Sequence, residues 1–562
     1  MESSRPALGA RLYRWAVGPL ELSVEALVLV ASLFWAVSAN RLFFAGALAE
    51  RSWSDPSAWG FAAALVVLVV ALHAALLGTL ATRWTVKPLI ALLSVAAAAA
   101  TFYVEAFGVV MDPSMLRNVL RTNPAEAGEL MTPALWLHLA LYAGVPLLLL
   151  WRVRVAPRPW LASAWRRAAL LLLATLAALG ALMTVFQPFA SLMRNQKELR
   201  YRITPASLVW STGAVLAADA KGASRPRQAI GEDAAAGSSW ALRRKPLVVV
   251  LVVGETARAA NWGLSGAPRQ TTPQLAALPV VNFTDVSACG TNTEVSLPCM
   301  FAPVGRRDYD EDRIRGQQSL MHVLARAGVA VQWRDNQSGC KGVCDGLPSE
   351  TVASLQLPGL CADGHCLDEG LVQDLDQRLN SAQGTQLWVL HMLGNHGPSY
   401  FRRYPARFAR FRPECREDDL RRCSIEQVVN AYDNALLYTD EVLATAIRRL
   451  QAHAGAVDSA LLFVSDHGES LGEQGLFLHG LPYPIAPEVQ KRVPMVLWTS
   501  AGLEQAAGMR SGCLGPELQR RARTPVAHDH LFHTVLGLLD VRTALYQPEL
   551  DLTGTCRTPS AP

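Results

Sequence analysis

Five long apolar segments occupy the first third of the 562-residue chain and constrain its fold more than any other feature. They cover residues 22–40, 59–81, 88–110, 132–151 and 167–188. Each has about the 20 residues that a helix needs to cross a bilayer. Buried helices of a large soluble protein are the alternative, but five successive segments with almost no charge favour membrane-spanning helices. Because no small-residue cleavage site follows a short apolar stretch near the N-terminus, the first segment is expected to be retained.

The charges of the connecting loops predict the orientation of these helices. One side carries Arg5, Arg11, Arg14, Arg83, Lys87, Arg152, Arg154, Arg158, Arg166 and Arg167. The loops on the other side mix basic and acidic residues. Since basic loops stay on the cytoplasmic side, the N-terminus is expected in the cytoplasm. After five crossings the C-terminal part lies outside.

Composition and length indicate the domain organisation. The net charge is only +5 and comes mainly from arginines beside the apolar segments, so no nucleic-acid partner is expected. A chain of this length is expected to form two or three domains. We predict a five-helix transmembrane domain over 1–189, membrane-surface helices and a linker over 190–244, and a soluble domain over 245–562 that carries the chemistry.

Ten cysteines, all in the predicted soluble domain, support the same placement. They fall into the pairs Cys289/Cys299, Cys340/Cys344, Cys361/Cys366 and Cys415/Cys423, with Cys513/Cys556 left over. An even number at short spacings predicts disulfides and an oxidising compartment. Zinc coordination by cysteine is the alternative, but the pairs do not repeat at finger or ribbon spacing.

The soluble domain is predicted to have an α/β fold. Four apolar runs read as buried strands, at 247–253, 386–391, 460–465 and 493–498. Helical patterns at 317–327, 369–381 and 425–452 lie between them. This alternation predicts a mainly parallel sheet sandwiched by helices. His528-Asp-His530 resembles a metal motif but precedes a helical run, and we interpret it as a helix start.

Polar residues directly after two of these strands predict a metal site. Glu255 ends the first run, and Asp466 and His467 end the run at 460–465. In open α/β sheets, ligands bind beyond the carboxyl ends of the strands. Two carboxylates and an imidazole at one edge suit zinc.

Several other residues are candidates for work on an anion near this edge. Residues 290–293 form a hydroxyl-rich turn between two cysteines, and a threonine hydroxyl becomes a good nucleophile when a metal or a base activates it. His396 follows the strand at 386–391, His479 lies further along the chain, and Lys341 lies between two paired cysteines. Each has a common alternative: a capping threonine, a loop histidine or a solvated lysine.

Five motifs together resemble the lipid A phosphoethanolamine transferases, membrane members of the alkaline phosphatase and sulfatase superfamily. They are Gly254-Glu-Thr-Ala-Arg258, Cys289-Gly-Thr-Asn-Thr293 with Pro298-Cys-Met300, Ser338-Gly-Cys-Lys-Gly342, Asn395-His-Gly-Pro398, and Ser465-Asp-His-Gly-Glu469 with His479-Gly480. The resemblance covers nearly the whole chain, including the five membrane helices and the paired cysteines.

The resemblance assigns a role to each candidate residue. It implies that Thr293 becomes phosphoethanolaminated and that Glu255, Asp466 and His467 join its oxygen around one catalytic zinc ion. Lys341, His396 and His479 match phosphate-binding or second-metal residues, and the number of zinc ions in turnover stays open. Asn118, Thr122 and Glu126 match a pattern at steps of four that would place them on one helical face for the ethanolamine headgroup. Glu294 and Gln337 depart from the family, where a small residue and an Asn or Asp are usual.

The resemblance also implies a reaction and a location. A zinc-dependent phosphoethanolamine transferase would take its group from phosphatidylethanolamine, transfer it to a lipid A phosphate and so give resistance to polymyxins and cationic peptides. It would be a multi-pass protein of the bacterial inner membrane, surrounded by membrane lipids, with a periplasmic catalytic domain; we expect a monomer. A transferase with another acceptor (periplasmic glucan, core sugar or protein) and a phosphohydrolase or sulfatase of the same superfamily remain alternatives.

Overall fold

A computed structural model describes residues 20–122, 124–223, 226–362 and 365–557. Arg5, Arg11 and Arg14, which enter the orientation argument, lie outside the described residues. The chain forms two compact units. One comprises the chain up to Leu116 together with Met131–Val215, and the other comprises Arg117–Leu130 together with the chain from Leu216 onward.

The described residues between 20 and 223 are mainly helical, as their apolar segments predict. The helices are α1 (Val24–Ser38), α2 (Arg41–Leu48), α3 (Pro56–Leu80), α4 (Val86–Phe107), α5 (Pro113–Arg121), α6 (Pro124–Glu129), α7 (Pro133–Arg152), α8 (Trp160–Asn195) and α9 (Ala206–Ala223). Among the described residues, four helices are long and apolar enough to cross a membrane, namely α3, α4, α7 and α8. The pair α1 and α2, bent by 58°, makes a fifth if it forms one span. The predicted helical membrane region is therefore confirmed.

Local sequence signals set the ends of these helices. Asp55 caps α3 and Pro56 occupies its first turn, where a missing N–H costs nothing. The indole N–H of Trp35 on α1 donates to Ser94 on α4 at 3.1 Å. The predicted boundary at 189 lies inside α8, which continues through Pro188, and α9 covers the start of the predicted linker. The three-part division remains a prediction.

A seven-stranded mixed sheet forms the centre of the C-terminal unit. Two short strands pair in the first unit, β1 (Leu20–Leu22) and β2 (Val153–Val155). The strands of the C-terminal unit are β3 (Ala235–Ala236), β4 (Leu247–Gly254), β5 (Val281–Phe283), β6 (Val286–Ser287), β7 (Ala330–Asp335), β8 (Ser349–Thr351), β9 (Cys361–Ala362), β10 (His365–Cys366), β11 (Thr385–His391), β12 (Asp458–Ser465), β13 (Ser470–Leu471), β14 (Phe477–Leu478), β15 (Met495–Thr499), β16 (Val526–Ala527) and β17 (Val541–Arg542). The sheet order is β5-β15-β12-β4-β11-β7-β8, and only β15 runs antiparallel to its neighbours. The predicted α/β fold and its four strands are confirmed.

Helices of the C-terminal unit lie between these strands in the chain. They are α10 (Pro273–Ala276), α11 (Thr293–Met300), α12 (Glu311–Gly316), α13 (Leu320–Arg326), α14 (Leu375–Asn380), α15 (Ile425–Ala452), α16 (Glu488–Lys491), α17 (Leu503–Ala506), α18 (Leu514–Arg521) and α19 (Asp529–Leu539). The long helix predicted at 425–452 is present, and α19 begins after His528 as predicted.

Two other predicted helices are shorter than expected. The helix predicted at 317–327 begins only at Leu320, because Ser319 caps it. The helix predicted at 369–381 begins only at Leu375. Upstream, Asp368 starts a short 3₁₀ turn, and its carboxylate accepts from the N–H groups of Leu393 and Gly394 at 2.9 and 2.8 Å. These distant hydrogen bonds compete with a continuous helix.

All five predicted disulfides are present. They join Cys289 to Cys299, Cys340 to Cys344, Cys361 to Cys366, Cys415 to Cys423, and Cys513 to Cys556. The first closes the turn that leads into α11, and the second closes the loop that carries Lys341. Covalent cross-links therefore restrain two of the loops that the sequence singled out.

Candidate active site

The two central strands bring the predicted metal ligands together. Glu255 follows β4 and Asp466 follows β12, which are parallel neighbours with Gly254 opposite Ser465. The N–H of Asp466 donates to the carbonyl of Gly254 at 2.9 Å. Glu255, Asp466 and His467 are completely buried, and one ligand atom of each lies within 4.8 Å of the others.

The hydrogen bonds of this group leave one oxygen for a cation. Asp466 Oδ1 accepts from the N–H groups of Thr256 (3.2 Å) and His467 (2.7 Å), whereas its buried Oδ2 accepts no hydrogen bond from any described residue. The carbonyl of Gly468 accepts from His467 Nδ1 at 2.9 Å, so Nε2 faces Glu255 and Asp466 at 3.2 and 3.4 Å. A buried carboxylate oxygen without a donor is costly unless a cation meets it. The three side chains therefore fit a zinc ion.

The electrostatics of the group favour positive charge among the three residues. Burial and the charge of Glu255 raise the pKa of Asp466 to about 6. Burial lowers the pKa of His467, but the carboxylates of Asp466 and Glu255 outweigh burial and raise it to about 10. A dication held by the same atoms supplies this positive charge directly, so we expect metal binding to release protons.

The Thr293 hydroxyl lies against this group. Oγ1 is 3.2 Å from each carboxylate oxygen of Glu255 and 3.5 Å from His467 Nε2, and the side chain is buried. Thr293 is the first residue of α11, and the side chain of Asn292 caps this helix by accepting from the N–H of Val295 at 3.0 Å. The free N–H groups of a helix N-terminus favour an anion at this point.

Two more predicted residues converge on the same point. The rings of His467 and His479 lie 4.3 Å apart, and those of His479 and His396 lie 5.6 Å apart. His479 Nδ1 lies 2.8 Å from Oε2 of Glu469. The other carboxylate oxygen, Oε1, accepts from the hydroxyl of Tyr400 at 2.8 Å. The motif that contributes Asp466 and His467 thus also positions His479. The sequence analysis did not assign this role to Glu469.

Lys341 is paired with Glu294, the residue that follows Thr293. Its Nζ donates to the hydroxyl and the carbonyl of Ser338 at 2.7 and 3.1 Å and lies 3.3 Å from Glu294 Oε1. Gln337 accepts from the N–H and hydroxyl of Ser338. Glu294 and Gln337, the two residues that depart from the family pattern, therefore both lie near Lys341.

The segment with Asn118, Thr122 and Glu126 differs from its prediction. The structure has two helices here, α5 ending at Arg121 and α6 starting at Pro124, so the three residues do not share one continuous helical face. Pro124 has no N–H, and its ring would clash with the carbonyl four residues earlier, which ends α5. Thr122 Oγ1 donates to the carbonyl of Asn118 at 2.8 Å. Glu126 is buried. Its negative charge favours the protonated form of His479 and so opposes the lowering of the His479 pKa by burial.

A second histidine, His391, lies beside Glu255 and was not among the predicted site residues. His391 is the last residue of β11 and is completely buried, with Nδ1 2.9 Å from Asp335 Oδ2 and Nε2 3.9 Å from Glu255 Oε2. Within the described part of the chain, its Nε2 has no hydrogen-bond partner. His391 ends a buried strand, which is the same signal that identified Glu255. Asp335, at the end of β7, carries that signal too.

A buried ion pair joins Glu129 of the Arg117–Leu130 segment to Arg403, which in turn contacts His396. Glu129 Oε2 accepts from Arg403 Nη2 at 2.5 Å, and both side chains are almost fully buried. Arg403 Nε donates to the carbonyl of His396 at 2.6 Å. Glu129 Oε1 lies 3.3 Å from His365 Nε2. No local signal in the sequence predicts this pair.

Comparisons with known proteins agree with the fold and with the motifs. The sulfatase family profile matches residues 248–541, which defines the class of the C-terminal domain. The profile described as phosphoethanolamine transferase EptA/EptB matches residues 68–220. Together the two profiles cover both parts of the chain.

Three relatives cover most of the chain. Phosphoethanolamine transferase EptA of Escherichia coli K12 is 40% identical over 481 residues, 84% of this chain and 86% of the relative. Phosphatidylethanolamine transferase Mcr-1 of Escherichia coli is 36% identical over 536 residues, 92% and 96% of the two chains. The solved structure of the integral membrane protein lipooligosaccharide phosphoethanolamine transferase A from Neisseria meningitidis is 38% identical, with a TM-score of 0.89 over 96% of this chain and 100% of that one.

The chain belongs to the phosphoethanolamine transferase family of the alkaline phosphatase and sulfatase superfamily. The family resemblance found in the motifs is confirmed, and the protein is a transferase with a membrane region and a C-terminal soluble domain.

Proposed function

We propose that the protein transfers phosphoethanolamine from phosphatidylethanolamine to a lipid A phosphate through a phosphoethanolamine–Thr293 intermediate at a zinc site. The position of the Thr293 hydroxyl, 3.2 Å from both carboxylate oxygens of Glu255, carries the proposal. The names of the relatives support a phosphatidylethanolamine donor and a lipooligosaccharide acceptor. Resistance to polymyxins and other cationic peptides is the expected consequence, because the added ammonium offsets negative charge on lipid A.

In the first step the side chains at the strand ends orient and activate Thr293. Glu255 accepts the hydroxyl hydrogen bond and so directs Oγ1. Glu255, Asp466 and His467 would hold zinc, which supplies Lewis-acid chemistry that lowers the pKa of a hydroxyl and offsets phosphate charge. Thr293 Oγ1 attacks the phosphorus and gives up its proton, the bond from phosphorus to the glycerol oxygen breaks, and that oxygen takes up a proton, so that diacylglycerol leaves. Lys341, His396 and His479 stabilise the phosphate oxygens.

In the second step an oxygen of the acceptor phosphate attacks the same phosphorus. The bond to Thr293 Oγ1 breaks, the hydroxyl is restored, and phosphoethanolamine is joined to the acceptor. Asn118, Thr122 and Glu126 remain our candidates for the ethanolamine headgroup, and the buried carboxylate of Glu126 suits an ammonium. Two half-reactions let donor and acceptor use the site in turn.

We place the protein in the bacterial inner membrane, with the N-terminus in the cytoplasm and the catalytic domain in the periplasm. The basic loops on one side support this orientation. So do the five disulfides of the C-terminal unit, because disulfides persist in the periplasm and are rare in the cytosol. A monomer accords with one complete set of catalytic side chains in one chain.

The intermediate is the most direct test of the chemistry. We expect the purified, zinc-loaded protein to gain one phosphoethanolamine on a peptide containing Thr293 when it is mixed with phosphatidylethanolamine, and to release one diacylglycerol. Thr293→Ala and removal of metal with a chelator should each prevent both events. Continuous release of free phosphoethanolamine without an acceptor would instead favour a phosphohydrolase.

A further inference from the structure

A large polar cavity of the C-terminal unit is lined in part by Glu294, the residue that follows Thr293. It has a volume of about 1220 Å³, more than most pockets for small ligands. Its walls come from α5, from the chain around Asp219, from α12 and from the loop that carries Lys341. Six basic side chains line it, namely Arg117, Arg121, Arg227, Arg313, Arg315 and Lys341. Six carboxylates also line it, so the walls are strongly charged but balanced.

Glu294 connects this cavity to the reacting threonine. It follows Thr293 in the chain, and its side chain is only 1% exposed. Oε1 lies 3.3 Å from Lys341 Nζ, while Oε2 lies 3.1 Å from Arg121 Nη1 and 3.5 Å from Arg315 Nη2. A single buried carboxylate therefore holds three cations directly beside the nucleophile. Two of these cations have a second carboxylate partner, Asp219 for Arg121 and Glu311 for Arg315.

The remaining ion pairs fix the arginines without using all their donors. Arg117 pairs with Glu311, and Arg315 Nε donates to the same carboxylate at 3.0 Å. Arg121 Nη2 lies 3.3 Å from both oxygens of Asp219, yet its side chain remains 38% exposed. A guanidinium has five N–H donors in a rigid fork that matches phosphate. The cavity thus presents oriented phosphate donors, with carboxylates nearby that accept hydrogen bonds from hydroxyl groups.

Two residues of α5 that line the cavity are next in the chain to residues assigned to the donor. Arg117 and Arg121 are four residues apart, so they share the face of α5 that lines the cavity. Asn118 on the same helix and Thr122 just beyond its end each follow one of these arginines in the chain, and neither is among the residues that line the cavity. One short segment of the C-terminal unit therefore supplies residues to two different substrate regions.

We infer that this cavity binds the phosphorylated sugar headgroup of the acceptor and presents its phosphate to the Thr293 intermediate. The inference rests on the proposed function and adds the acceptor subsite to it. The acceptor phosphate oxygen forms the new bond to the phosphoethanolamine phosphorus, and the bond from phosphorus to Thr293 Oγ1 breaks. Any proton on the acceptor phosphate passes to Oγ1, so the products are the phosphoanhydride and free Thr293.

The test measures the two half-reactions separately on the full-length protein. Diacylglycerol release from fluorescent phosphatidylethanolamine, without acceptor, reports the first step; transfer to lipid A in mixed micelles reports the second. We expect Arg121→Ala to raise the KM for lipid A roughly tenfold, because the variant loses the guanidinium group and its charge-assisted hydrogen bonds to the acceptor phosphate. The rate of diacylglycerol release should stay within about twofold of the wild-type rate, a difference of less than about 0.5 kcal/mol.

Two further variants make the outcome decisive. Arg121→Lys keeps the positive charge but loses the planar set of guanidinium donors. We therefore expect its affinity for lipid A to lie between those of Arg121→Ala and the wild type. Arg416→Ala removes an exposed arginine outside the cavity and should change neither step. An unchanged KM for lipid A in Arg121→Ala, or an equal loss in both half-reactions, would overturn the inference. Failure of the wild-type protein to release diacylglycerol would instead refute the proposed function, and the acceptor subsite with it.

Discussion

His528 shows how a single residue positions the nucleophile. Its Nδ1 accepts from the N–H of Cys289 at 3.0 Å, and its Nε2 donates to the carbonyl of Ser465 at 2.9 Å. Only a neutral imidazole makes both hydrogen bonds. The residue therefore joins the turn before Thr293 to the strand before Asp466.

The stability of the domain is expected to depend on the protonation of His528. Burial lowers the pKa of His528 from 6.5 to about 4. Between these values the unfolded chain binds more protons than the folded one, so stability is complete above pH 6.5 and falls as the pH drops toward 4. The contribution is at most about 3 kcal/mol. Unfolding of His528→Gln across pH 4–8 should show lower stability at neutral pH and a shallower slope below 6.5; an unchanged slope would contradict this role.

The residues of the site differ in how far the sequence predicts them. Glu255 and Asp466 follow buried runs, and parallel strands bring such ends together, so the metal-binding group is predictable. His391 carries the same signal and was overlooked. The pairing of Glu294 with Lys341 is not predictable, because it depends on the paths of two loops rather than on strand order.

The Arg117–Leu130 segment is an element held in part by the buried ion pair of Glu129 with Arg403. Glu129→Ala would leave Arg403 buried without its partner, which typically costs about 3–5 kcal/mol. We expect faster amide hydrogen exchange over 117–130, a higher KM for phosphatidylethanolamine and unchanged zinc content. Glu129→Gln, which keeps the shape and one acceptor, should have a smaller effect. Unaltered exchange in Glu129→Ala would show that other contacts hold the segment.

Strands were easier to predict than short helices. The runs at 247–253 and 460–465 contain almost only apolar residues, and a strand buried on both faces follows directly from that pattern. Short helices such as α13 and α14 start where a cap or a distant hydrogen bond sets their limits. The break between α5 and α6 was predictable from Pro124, but the spacing of Asn118, Thr122 and Glu126 suggested one continuous helix.

At the scale of the whole molecule, the disulfides are expected to serve two different purposes. Cys513 and Cys556 are 43 residues apart, whereas Cys340 and Cys344 are four apart. In the chain-entropy description these loops contribute about 4 and about 2 kcal/mol. Replacing the first pair with serine should lower the melting temperature more, while replacing the second should reduce activity more because it holds Lys341. The reverse order in thermal unfolding and activity assays would count against this division.

The division of the chain into units was only partly visible in the sequence. Hydropathy separates the membrane helices from the soluble domain. It does not show that residues 117–130, which lie between two apolar segments, pack with the C-terminal unit. Only side chains far apart in sequence, such as Glu129 and Arg403, reveal that placement.

The central claim is that Thr293 carries phosphoethanolamine from a phospholipid to lipid A. Its most direct test is intact-mass analysis of lipid A from a Gram-negative host that expresses the wild-type protein or Thr293→Ala at equal levels. We predict that lipid A gains one phosphoethanolamine with the wild-type protein and none with the variant. Unmodified lipid A in both strains, with phosphatidylethanolamine still consumed by the wild type, would contradict the proposed acceptor; equal modification in both would contradict the nucleophile.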